Sequence, residues 1–79
     1  MLYMARISLG MNDIRKATCL IIEKDGEFLV GASGLFPRWS NSPYDAWSTR
    51  DKMTAFKVAW KVHGRLFLFN PIVNQLKPL

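Results

Sequence analysis

Two runs rich in β-branched and aliphatic residues, 18–24 and 27–32, flank the dipeptide Asp25-Gly26. An Asp-Gly pair between apolar runs predicts a tight β-hairpin, because the type I′ turn needs positive φ at both central residues. The turn predicts a register with Lys24 opposite Glu27, Glu23 opposite Phe28, Ile22 opposite Leu29, Ile21 opposite Val30 and Cys19 opposite Ala32. One face then carries Leu20, Ile22 and Leu29, and the other carries Cys19, Ile21, Phe28 and Val30. Both faces are apolar, so both need cover.

From residue 49 the period changes from two to 3.6. Ser48-Thr49-Arg50-Asp51 has the form of a capping signature and predicts a helix over 49–63, closed by Gly64 as the residue just past its end. At about 100° per residue, Ala55, Val58, Ala59 and Val62 centre an apolar arc that Phe56, Trp60 and Met53 extend on one side. The polar wedge, Arg50, Thr54, Lys57 and Lys61, is narrow, which predicts a helix buried along most of its circumference. Residues 65–70 read as a third strand ended by Pro71. The tail from 72 to 79 alternates and either adds a short edge strand or wraps the sheet.

Between hairpin and helix, residues 33–48 form a connection rich in Gly, Pro, Asn and Ser that holds Phe36, Trp39, Tyr44 and Trp47. Ser42-Pro43-Tyr44-Asp45 predicts one short helical turn, and the aromatics predict an ordered excursion rather than a free loop. The element order β-β-α-β gives an α+β domain with a small mixed three-stranded sheet, order 2-1-3, packed on one amphipathic helix. A right-handed strand–helix–strand crossover places the last strand beside the first and parallel to the second. One helix covers one sheet face; the aromatic connection, the tail or a second subunit must cover the other.

Length and composition narrow the function. Seventy-nine residues form one domain, read as 11–79 preceded by an extension or arm at 1–10. One cysteine, Cys19, makes no internal disulfide, and one histidine, His63, cannot make a zinc site. No nucleophile–base pair or carboxylate pair stands at a useful spacing, so the chain is read as a non-enzyme with no cofactor or metal and no catalytic residue. No apolar run approaches a membrane span and the first ten residues do not resemble a secretion signal; the expected compartment is the cytoplasm. A chain this small gains from association, and a homodimer or an obligate partner is expected.

Charge is distributed unevenly. Residues 1–37 balance, whereas 38–79 hold Arg38, Arg50, Lys52, Lys57, Lys61, Arg65 and Lys77 against Asp45 and Asp51 and so carry the whole net charge of +5. That field favours an anionic partner, either an acidic protein face or nucleic acid.

The Asp25-Gly26 hairpin, the Trp39-Ser40 step, the helix alanines Ala55 and Ala59 and then Gly64 together resemble a loose group of short phage and prophage proteins, over roughly residues 17–70. The resemblance implies a mobile-element origin and, by class only, an inhibitor of bacterial defence such as an anti-CRISPR protein, docking onto a host protein or nucleoprotein complex.

Two candidate partner-binding groups follow. Arg50, Lys57 and Lys61 are either a phosphate- or acid-contacting stripe or a solvated helix face. Arg38, Trp39, Tyr44 and Trp47 are either an aromatic–cationic patch able to stack bases or anchor a protein, or the local core of the long connection. The leading expectation is a small protein-binding module; the alternative is a basic nucleic-acid-binding protein using the helix stripe. His63 is expected to serve the helix end and Cys19 to act as a small hydrophobe.

Overall fold

A computed structural model describes residues 17–31 and 36–79. The expected pairs of Cys19 with Ala32 and the reading of 1–10 as an arm lie outside them. The chain forms β1 (Cys19–Lys24), β2 (Glu27–Gly31), β3 (Arg38–Ser40), a 3₁₀ turn (Pro43–Asp45), helix α1 (Lys52–Val62), β4 (Arg65–Asn70) and β5 (Gln75–Pro78). The described residues make an α+β fold with one helix and one five-stranded sheet in the order β3-β2-β1-β4-β5. The expected 2-1-3 order is the centre of this sheet. Every neighbouring pair is antiparallel, so the sheet is not mixed. β4 does run parallel to β2, but β1 lies between them.

Asp25 (φ 54°) and Gly26 (φ 84°) both take the positive φ that the hairpin turn demands. Glu23 faces Phe28 and Lys24 faces Glu27 as the turn dictates. Beyond those two pairs the strands part. The Leu29 carbonyl accepts from the Trp47 N–H at 2.8 Å, and Leu20 exchanges two backbone hydrogen bonds with Thr49 at 2.8 and 3.1 Å. The segment 47–49 is therefore wedged between β1 and β2, replacing the expected pairing of Ile22 with Leu29 and Ile21 with Val30. The connection acts as an insertion into the sheet.

This wedge also moves the start of the helix. Thr49 is held extended against β1, so Ser48 cannot cap it. Asp51 is the N-cap instead: its carboxylate accepts from the Met53 N–H at 3.3 Å and from the Thr54 hydroxyl. At the other end His63 takes the left-handed conformation (φ 59°), and the Gly64 N–H donates to the Ala59 carbonyl at 2.9 Å. The helix is closed by His63 rather than Gly64. Gly64 serves close approach, since a Cβ there would lie 2.4 Å from Ile22 Cγ2 and 3.2 Å from the Glu23 carbonyl.

The sheet separates two small cores. On the helix side, Ile22, Leu29 and Ala59 are buried, with Trp39, Trp47, Val58, Val62 and Leu66 half-buried around them. On the reverse side Ile21, Phe28 and Phe69 are buried, with Cys19, Ala46 and Phe67 packed against them. The alternation of β1 thus sorts its residues as expected. Of the expected covers for the reverse face, the structure uses the connection: the chain around the 3₁₀ turn lies over it. Ala46 packs there, and the Tyr44 ring meets Phe69 edge-on at 5.1 Å. The C-terminal tail extends the sheet as β5 and leaves that role to the connection.

Candidate functional site

The helix is the element on which sequence and structure differ most. It turns through about 100° per residue, so Ala55, Val58, Ala59 and Val62 share one side, and that side meets the sheet. Only Ala55 and Ala59 are fully buried on it. The flank that the apolar arc was expected to bury faces outward: Phe56 is 54% exposed, Met53 64% and Trp60 84%. Lys57 stands opposite the buried alanines, with Met53 and Trp60 beside it on the crest of the helix and Lys61 on its other side. The reason is the lack of a second packing layer over the helix among the described residues. A single helix on this sheet meets it through one side, and no other described element reaches the rest.

Lys57 and Lys61 are both exposed. Among the described residues neither has a carboxylate at ion-pair distance. Arg50 is exposed as well, but it precedes the helix and is not part of the helical stripe. The outer face therefore pairs an apolar strip, Met53, Phe56 and Trp60, with a cationic strip, Lys57 and Lys61. Beside the apolar strip runs a groove of about 450 Å³ between helix, β4 and C-terminus, lined by Phe56, Ala59, Trp60, Gly64, Leu66 and Leu79.

The second group, Arg38, Trp39, Tyr44 and Trp47, does not form one patch. Trp39 and Trp47 are half-buried in the helix-side core. Tyr44 is on the reverse side against Phe69, and its hydroxyl donates to the Pro71 carbonyl at 3.3 Å. The Arg38 guanidinium lies across Gly31, 3.2 Å from where a Cβ would stand. Ser40, next to Trp39, fastens the connection by donating to Asp45 at 2.9 Å and accepting from the Ser42 N–H at 3.1 Å. Phe36 is 77% exposed and does not tuck inward.

The charges at the hairpin tip are engaged locally. The Lys24 ammonium donates to the Val62 carbonyl at 3.2 Å, meeting the negative end of the helix. Glu23 accepts from the Gly26 N–H at 2.9 Å and pairs with Arg65 at 3.4 Å, while the Arg65 guanidinium sits 5.7 Å from the centre of the Phe67 ring. The half-buried Cys19 thiol donates to the Phe69 carbonyl at 3.4 Å. Among the described residues Asp51 is the titratable group with a clear displacement. The Thr54 hydroxyl first, then the Met53 and Thr54 amides and the Lys57 charge, hold its carboxyl below the ordinary 3.8.

Met53, Phe56 and Trp60 were legible as apolar, but not as exposed. Their 3–4–7 spacing predicts core, and they are exposed because no other described element packs on that side of the helix.

The fold and this face define a small α+β domain whose helix α1 presents an apolar and cationic outer surface. No helix among the described residues is long and apolar enough to cross a membrane. No family model, curated protein or solved structure matches the chain.

Proposed function

We propose that this chain is a non-enzymatic binding module that docks onto another protein, or a nucleoprotein complex, through the outer face of α1. The observation that carries the reading is Trp60, 84% exposed on the crest of the helix with Met53 and Phe56 beside it. Large exposed aromatics clustered on one face are the residues that most often anchor protein interfaces. Lys57 and Lys61 at the margin would steer an acidic partner to that anchor. The basic patch with Trp60 also supports the second reading, contact with nucleic acid, in which Lys57 and Lys61 meet phosphates and the indole stacks on a base. Protein is favoured because three large apolar side chains, Met53, Phe56 and Trp60, are exposed together on this face beside two cations. Origin in a mobile element and action on a host defence complex rest on the resemblance of hairpin, Trp-Ser step and helix alone.

A photo-crosslinking amino acid placed at position 60, with position 75 on the far strand as control, tests both readings in cells expressing the chain. A discrete adduct at 60 and not at 75, destroyed by protease and resistant to nuclease, is expected. A nuclease-sensitive adduct would replace docking to protein by the nucleic-acid reading. No adduct at 60 would remove both.

A further inference from the structure

The groove beside Trp60 has a definite chemistry. Its floor is small, Ala59 and Gly64; its walls are Phe56, Trp60, Leu66 and Leu79. Leu79 is 52% exposed and held in place by its N–H, which donates to the Leu66 carbonyl at 3.0 Å. The exposed apolar positions on α1 recur at 53, 56 and 60, the spacing by which one helix packs along another. Lys57 and Lys61 run parallel to that line, one turn apart, like the charged margins that select partners in paired helices.

Charge decides between occupants. α1 carries Lys52, Lys57 and Lys61 and not one carboxylate within Lys52–Val62. A second copy packed helix to helix on this face would bring six cations around one interface with no acid on either helix. The β5 edge is short of a donor for self-association. Because the Leu79 N–H points inward to β4, alternation along β5 turns the ring nitrogen of Pro78 outward, where it has no hydrogen to donate.

Resting on the docking reading above, we infer that the occupant of this groove is an acidic amphipathic helix of a partner protein. Its apolar residues at i, i+3 or i+4, and i+7 seat against Phe56, Trp60 and Leu79, and its Asp and Glu side chains meet Lys57 and Lys61. Trp60 supplies the anchor and the lysines supply orientation, since an acid-bearing margin fits on one side only.

The test is selection of a displayed library of random peptides, about 18 residues or five helical turns long, on the full chain at about 0.15 M salt. Enriched peptides should be acidic, helical when bound, and apolar at the stated spacing. Trp60→Ala should weaken the best of them about thirtyfold, the scale of a lost hot spot, and Lys57→Glu with Lys61→Glu about tenfold. Both variants should keep the far-UV circular dichroism of the parent, since all three side chains are exposed. Neutral, basic or extended proline-rich winners, binding indifferent to Trp60→Ala, or no enrichment would overturn the inference. So would a dimer in sedimentation that Trp60→Ala dissociates, which makes a second copy the occupant, or displacement of the peptides by a DNA duplex. A protein adduct at position 60 formed through a segment that is neither acidic nor helical would leave docking standing while removing this occupant.

Discussion

At Gly64 the chain leaves the helix and passes against β1 with no room for a methyl group. An added Cβ would meet Ile22, which is fully buried and cannot move aside without disturbing Leu29 and Ala59. Its neighbour His63 bears the left-handed strain, so the glycine is spent on space rather than on dihedral freedom. Gly64→Ala should therefore cost about 1–3 kcal/mol by overpacking. Urea denaturation reads this as a lower midpoint with an unchanged slope; a variant as stable as the parent would mean that helix and sheet are not packed this closely.

On the scale of elements, the wedge of 47–49 settles where α1 begins. The backbone of Thr49 is committed to Leu20, and the first free capping group after it is Asp51. Its carboxylate accepts from the Met53 amide and the Thr54 hydroxyl, bonds that favour the ionised form and lower its pKa below 3.8. A carboxyl depressed in the folded state adds stability in full above its ordinary pKa, and that contribution disappears as pH falls through the lowered value. Asp51→Ala should lower the thermal midpoint at neutral pH and flatten its decline on acidification below about pH 4. Thermal melts from pH 7 down to pH 2 measure both; parallel curves for parent and variant would show that the cap is not made. Ser48→Ala should leave the helix end untouched, because that side chain caps nothing here.

For the whole molecule, the sheet divides one small hydrophobic content into two cores. Ile21 and Ile22 are adjacent in sequence and both fully buried, yet they belong to different clusters on opposite faces. Removing one methylene from each should cost about 0.5–1.5 kcal/mol per site. With no shared side-chain partner, Ile21→Val and Ile22→Val should add to within about 0.5 kcal/mol in the double variant. A large non-additive term in denaturant unfolding would mean that the faces are coupled through the wedge. The same division explains the outer surface: two cores use up the inward positions, and the third side of the helix has nothing left to face.

The sequence alone determined what local chemistry specifies. Asp25-Gly26 set the turn and the first two strand pairs, period-two alternation sorted Ile21 from Ile22, and Ser42-Pro43 made the 3₁₀ turn, because each depends on neighbours a few residues away. The helix and last strand were equally legible. Tertiary structure alone decided the insertion of 47–49, the helix start at Asp51, the exposure of Met53, Phe56 and Trp60, and the separation of Tyr44 from Trp39 and Trp47. Each of these turns on backbone partners or packing layers contributed by residues distant in the chain. A hydrophobic pattern records which side chains are apolar, but not whether a second layer exists to cover the side of the helix that faces away from the sheet.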